Sequence, residues 1–388
     1  MIRKSLLLKP YDAAYMQRWN DKIRPVELRE LDKQAHKMII AFILAKYQED
    51  KEKIDWIKLI EACLFEFLQR IVLTDLKPQL FHRIQEDSKG YAALNNWIYQ
   101  QLEPMIIPLN EGKFAKRFLA YINTKTSKNS QITRKILNAS HFYATRWEFG
   151  IIKQPNADIY EIKEIEDSLD KEMKRYSSII GISKLETDVD IKKFCDLCGL
   201  LRFQLRWSQT ERIPKTSVLG HMLIVAIYSY FISLELKLGE TRLVNNFYNG
   251  LFHDFPEVLT RDVIAPVKTS IKGLDSIIKK YENEQMKKEV YNSLPSKWRK
   301  QMRKYTATEF KSEISGPYAK DGDLVEAADH LAAFIEAYLA IKNGSGDQTF
   351  YKAKEHFRKQ YMEKDLKKNT DSRKIKGFDF SQIYADFN

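Results

Sequence analysis

The stretch Gly250-Leu251-Phe252-His253-Asp254-Phe255-Pro256-Glu257-Val258-Leu259-Thr260-Arg261-Asp262 places an imidazole beside a carboxylate, with two further carboxylates close behind. An imidazole nitrogen and a carboxylate oxygen form a mixed donor pair for a divalent ion, and a third group such as Glu257 can orient or deprotonate a water. An isolated His-Asp pair is common and on its own reads as a polar helix end, so the case depends on partners elsewhere. His221 and Asp329 are those partners. Both sit in apolar or small-residue helical surroundings, Asp329 between Ala327, Ala328, Ala332 and Ala333. A charged carboxylate on such a face is costly to bury unless it is paired or bound to a metal. Two imidazoles and two carboxylates, from His221, His253, Asp254 and Asp329, suit one divalent ion that keeps open positions for water and phosphate. The donor set leaves the metal open among Mn, Co, Mg, Ni and Zn.

The elements that must position these groups read as helices. The chain has 388 residues, 44% of them apolar and 12% aromatic, with only 14 Gly and 11 Pro, which favours an all-α protein over a turn-rich sandwich or barrel. The longest apolar run, Met222 to Leu234, is too short to span a bilayer, and the N-terminal stretch lacks a cleavage pattern, so the expected location is cytoplasmic and away from membranes. A net charge of +12 attracts phosphates, nucleotides or nucleic acid, of which a small nucleotide is the favoured partner and nucleic acid the less favoured one. Cys195 and Cys198 form a CxxC with no second cysteine pair at zinc-ribbon spacing and read as ordinary thiols.

Helices are predicted from Leu31, over 56–68, 91–102, 113–122, 132–152, 159–180 (closed by Gly181), 191–205 and 271–289, with a connector at 185–190. The two halves of this series match in order. Arg206-Trp207 follows Arg18-Trp19 by 188 residues, His221 follows His36 by 185, Leu251-Phe252 follows Leu64-Phe65 by 187, and Ala328, His330 and Ala333 follow Ala139, His141 and Ala144 by 189. A tandem duplication is therefore expected, with domains at 1–185 and 186–388. In this alignment His253 corresponds to Glu66, Asp254 to Phe67, Glu257 to Arg70 and Asp329 to Ser140, so only the second copy keeps metal-binding residues. The first copy is expected to be structural, dimerising or regulatory, and its large helical body makes it a candidate surface for a homodimer.

The order His221, His253-Asp254, Asp329 resembles the HD superfamily of metal-dependent phosphohydrolases. The fuller run, Arg206-Trp207 upstream, His253 through Asp262, Pro266-Val267-Lys268 and Leu324 through Asp329, resembles the bacterial 5'-deoxynucleotidase (YfbR-like) branch over roughly residues 191–342. That resemblance implies an all-helical domain that releases phosphate from deoxynucleoside monophosphates. By position it makes His221, His253, Asp254 and Asp329 the ligands of a single ion. It makes Glu257 the residue that activates water, Arg206 and Lys268 phosphate-side groups, and Trp207 and Asp262 part of the sugar pocket. Two departures stand out: Gly220 where the family usually has an acidic residue, and Arg261 where it often has a small one. Arg261 and the charge keep open a different phosphoester, such as an alarmone, a cyclic nucleotide or an oligonucleotide end. A protein that senses nucleotide without turnover is the third possibility.

Overall fold

The structure is a computed structural model that describes residues 2–74, 76, 78–123, 131–261, 271, 273–363 and 373–387. It is helical throughout apart from a two-stranded hairpin near the C-terminus, Lys374–Ile375 with Phe378–Asp379. The first half contains α1 (Lys4–Leu8), α2 (Asp12–Tyr15), α3 (Glu30–Gln48), α4 (Trp56–Leu73), α5 (Pro78–Glu86), α6 (Ser88–Ile106), α7 (Lys113–Asn123), α8 (Gln131–Ile152) and α9 (Ile162–Arg175). The chain continues through α10 (Ile180–Thr187), α11 (Val189–Leu200), α12 (Val218–Glu235), α13 (Glu240–Phe252), the single turn α14 (Glu257–Thr260), α15 (Leu274–Met286) and α16 (Ser296–Thr306). It ends with α17 (Gly322–Lys342), α18 (Gln348–Met362) and α19 (Phe380–Ala385).

Two helices are apolar on every side and form the centre. In α12 every residue but the last is buried, and in α3 every residue but Lys46 is buried. A helix that is hydrophobic all round belongs inside a large protein or a membrane. By length and composition α12 could cross a bilayer, but 94% of it is enclosed by the rest of the chain. α8 packs on α3, α13 and α17 pack on α12, and α3 and α12 pack on each other. One hydrophobic core runs through both halves: the Phe42 ring lies 4.7 Å from Tyr248 and 5.3 Å from Phe252. The boundary expected between residues 185 and 186 falls inside α10.

Some local expectations are corrected. The helix predicted over 159–180 is two, α9 and α10. Gly181 lies inside α10, where an added Cβ would come within 2.8 Å of the Leu44 backbone, so it serves close packing rather than termination. The connector predicted at 185–190 is nearly all helix, because Asp188 accepts from the amides of Asp190 and Ile191 and starts α11 at once. α11 ends at Leu200, five residues short of the predicted 205.

The turn entering each central helix is built twice. Gln17 bridges Arg29, and Leu205 bridges Ser217. The Arg18 amide donates to Leu28 O at 2.8 Å, and the Arg206 amide to Thr216 O at 3.0 Å. Trp19 has φ 54° and Trp207 φ 56°, an uncommon backbone state for a bulky residue. Trp19 Nε1 donates to Glu148 at 3.1 Å and Trp207 Nε1 to Glu336 at 2.8 Å. Each of these pairs is 188 residues apart. That register puts Lys33, not His36, at the place of His221, and His141, not Ser140, at the place of Asp329. Matching like with like misaligned both. Further along, Thr74 (φ 54°) ends α4 and Arg261 (φ 66°) ends α14, 187 residues apart, which keeps Glu66, Phe67 and Arg70 at the places of His253, Asp254 and Glu257.

Candidate metal centre

His221 lies in the first turn of α12, where Ser217 caps the helix by accepting from the Gly220 amide at 2.9 Å. Ser217 Oγ also donates to Asp32 Oδ1, tying this turn to α3. Gly220 faces the same helix, with Asp32 Oδ1 and Leu31 within 2.9 Å of where a Cβ would stand. An acidic side chain at that position would collide with α3. Gly250 has a similar role: a Cβ there would lie 2.8 Å from Ala226 Cα, so its absence lets α13 close onto α12. The His253 ring, just past the end of α13, then comes to 5.5 Å from the His221 ring.

His253 Nδ1 is 2.8 Å from Gly250 O. A carbonyl only accepts, so the proton resides on Nδ1 and the Nε2 lone pair points inward, where it is buried without a hydrogen bond. Asp254 Oδ2 is 3.2 Å from His253 Nε2 and 3.8 Å from His221 Nε2. Asp329, midway along α17, brings Oδ1 to 2.9 Å from His221 Nε2 and 4.0 Å from His253 Nε2. One donor atom each from His221, His253 and Asp254 falls within a 4.8 Å span, and among the described residues no other group of His, Cys, Asp and Glu converges this way. Donors a few ångströms apart, with an orphaned imidazole nitrogen among them, fit a divalent ion at bond lengths of about 2.0–2.2 Å.

The electrostatics agree with that fit. Burial would lower the pKa of His253, but the charges of Asp254 and Asp329 outweigh it and push the group up to about 9. Burial would raise both carboxyls, yet each is held below its ordinary range, Asp254 chiefly by His253 and Asp329 chiefly by His221. The cluster is therefore an anionic nest that calls for positive charge.

Glu336 is a site residue that sequence reasoning missed. It lies seven residues after Asp329 on α17, so on the same face, and is fully buried. It accepts from Trp207 Nε1 at 2.8 Å and Thr216 Oγ1 at 2.7 Å, and pairs with Arg206 Nε at 3.5 Å and Arg212 Nη2 at 3.8 Å. Its Oε1 is 3.6 Å from His221 Nδ1. Burial works to protonate it, but Arg212, Arg206 and His221 keep its pKa well below the usual carboxylate range. The signal was present in the sequence, as a Glu among Ala, Ile, Phe and Leu that could be buried only if paired.

Arg206 Nη1 lies 3.5 Å from Asp254 Oδ2, so its guanidinium spans Glu336 and the metal cluster. Trp207 is half-buried, with its ring centroid 5.1 Å from Phe350. Glu257 does not share a continuous helix with His253 and Asp254, because α13 stops at Phe252 and residues 253–256 form tight turns. Its amide donates to Asp254 O at 3.1 Å, and a three-residue turn brings Glu257 back to the Asp254 side. Asp262 and Lys268, with Pro266 and Val267, lie outside the described residues. Cys195 and Cys198 are free and buried, and burial pushes both thiols up, so neither offers a thiolate.

The corresponding recess of the first half is differently furnished. Lys33 Nζ lies 2.7 Å from His141 Nδ1, and Lys37 pairs with Glu66, which also accepts from Tyr121 OH at 3.0 Å. Arg18 donates to Glu148 at 2.6 Å and to Glu30 at 2.9 Å, while Arg70 is 3.5 Å from Glu30. Glu148 also accepts from Arg202 at 2.8 Å, across the two halves.

No curated protein matches this chain. Residues 198–372, which carry His221, His253, Asp254, Asp329 and Glu336, match the family model of the HD domain, and this half of the molecule is identified as a domain of that kind, whose members are in general metal-dependent phosphohydrolases.

Proposed function

We propose that the second half hydrolyses a nucleotide phosphomonoester at a single divalent ion held by His221, His253, Asp254 and Asp329. The observation that carries this reading is the buried, hydrogen-bond-free Nε2 of His253, locked by Gly250 O and facing two carboxylates and a second imidazole. A divalent ion bound there polarises a phosphoryl oxygen and makes a water nucleophilic near neutral pH. Asp254 and Asp329 neutralise the ion's charge, and the carbonyl behind His253 fixes its tautomer. Glu257 accepts the water's proton. Arg206 orients the phosphate while Glu336 holds it in place, and Trp207 forms the wall beside the sugar. Asp262 and Lys268 are assigned to the sugar and phosphate sides on the resemblance alone.

We further infer that the halves, 1–185 and 186–388, arose by tandem duplication and that the first has lost its metal site. The matched entry turns, with two tryptophans at positive φ, support this. The test is metal content together with phosphate release from a panel of nucleoside monophosphates. A protein that binds no metal, or an Asp254→Ala variant that stays fully active, would overturn the reading.

A further inference from the structure

The first-half recess contains a buried cation that its surroundings do not neutralise. Four cations, Arg18, Lys33, Lys37 and Arg70, meet three carboxylates, Glu30, Glu66 and Glu148, and Arg202 from the second half takes a share of Glu148. Arg18, Lys37 and Arg70 each lie within 4.0 Å of a carboxylate. Lys33 is fully buried, and among the described residues no carboxylate oxygen comes within 4.0 Å of it. Its close contact is the neutral ring of His141. An ammonium donates to Nδ1 only when that nitrogen carries no proton, so the His141 proton is on Nε2, which makes the second ring nitrogen a donor. His141 is exposed and the Arg70 side chain is 27% exposed, so the recess opens to solvent while Lys33 forms its floor. Burial, reinforced by Arg18, pushes the Lys33 ammonium well below its ordinary pKa, the response of a cation without a counter-ion.

We propose that this recess binds a small phosphorylated anion without a metal and does not hydrolyse it. The phosphate supplies the negative charge that Lys33 lacks, and its oxygens accept from the Lys33 ammonium, the His141 Nε2–H and the Arg70 guanidinium. Trp19 stands beside Arg18 as Trp207 stands beside Arg206, which leaves a flat ring at the edge for a sugar or base. Arg70 replaces the water-activating carboxylate and Phe67 replaces the ligand Asp254, so the bound ester is held and left intact. The class of ligand rests on the nucleotide reading of the second half; the presence of an anion site does not.

The test uses the full-length Asp254→Ala protein, stripped with EDTA, and titration calorimetry first with inorganic phosphate and then with a nucleoside monophosphate. The expected result is one site that binds both probes without metal, weakened at least about tenfold by Arg70→Gln and by Lys33→Met. Arg70 is partly exposed, so its variant folds even if the Lys33 variant does not. Absence of binding, or binding that Arg70→Gln leaves unchanged, overturns the proposal. Hydrolysis by the wild-type metal-loaded protein is scored separately. Metal-free binding without any turnover refutes the nucleotidase reading alone, and turnover without metal-free binding refutes this one alone.

Discussion

The two recesses share an entry turn, a tryptophan held on a buried glutamate and a central helix, yet they satisfy opposite electrostatic demands. In the second half two carboxylates and two imidazoles converge, and no lysine or arginine reaches the cluster except the edge of Arg206. In the first half the place of His221 is taken by Lys33, and that of Glu257 by Arg70. Positive charge that one recess must recruit from solution is covalently built into the other. Losing a metal site therefore did not leave buried carboxylates stranded, because the replacements brought cations along with them.

The largest expected asymmetry is in activity. Asp254→Ala should reduce phosphate release by about 10³-fold or more and lower metal content, because it removes a ligand and the charge that balances the ion. Phe67→Ala, at the corresponding position, should leave metal content unchanged and cost about 3–5 kcal/mol in urea denaturation, since Phe67 is core. Metal loss in the Phe67 variant would break the comparison.

The next contrast concerns the two glutamates that hold the tryptophans. Glu148 neutralises Arg18 and Arg202 at 0% exposure, so Glu148→Gln should cost about 3–5 kcal/mol by leaving buried cations uncompensated. Glu336→Gln should instead appear in catalysis, with activity reduced about 10–100-fold through misplaced Arg206 and His221, because outer partners tune metal ligands. Parallel melting curves and initial rates on both variants separate the outcomes. Equal effects on stability and rate would mean that the two glutamates serve one structural purpose.

A smaller effect is expected where the halves differ by a side chain at the helix crossing. Gly250 corresponds to Cys63 in α4. Gly250→Ala drives a Cβ into the Ala226 backbone and should cost about 1–3 kcal/mol while weakening metal binding, because it pushes His253 away from His221. Cys63→Ala should cost about 1 kcal/mol and leave metal binding untouched. Metal titration of the two variants checks this.

The sequence made the four candidate ligands legible because each is a polar group in apolar surroundings, where burial demands a partner. By the same rule Glu336 was legible but was passed over, since the resemblance supplied no role for it. The all-helical class followed from composition. The correspondence of the halves was visible, but its register was not. Identical residues drew His221 to His36 and Asp329 towards Ser140, whereas register is set by the backbone turn, through hydrogen bonds and a positive φ that side-chain identity does not encode. The break after Phe252 was signalled by Pro256, and only the observed three-residue turns indicate where they carry Glu257.

The smallest expected effect probes a buried cation on the metal-bearing side. Lys320 corresponds to Ile132 of the first half and is 1% exposed. Its Nζ donates to Asn249 Oδ1, Thr308 O and Glu309 O, bracing the segment that sets Phe310 6.3 Å from His253. Burial lowers its pKa to about 8. Unfolded lysine titrates near about 10.4, so between those values the unfolded chain binds the extra proton and stability rises with pH. Below pH 8 both states are charged and the burial cost is present in full. Above about 10.4 both are neutral and that cost is gone. Comparison with Lys320→Met isolates this group from the chain's other titrations. The wild type should gain stability relative to the variant as pH increases from 7.5 to 10, read as a widening gap between their urea midpoints. A constant or narrowing gap would mean that the three oxygens around Lys320 solvate its charge as well as water does. In that case the metal-bearing half tolerates a buried ammonium as easily as the half built around Lys33.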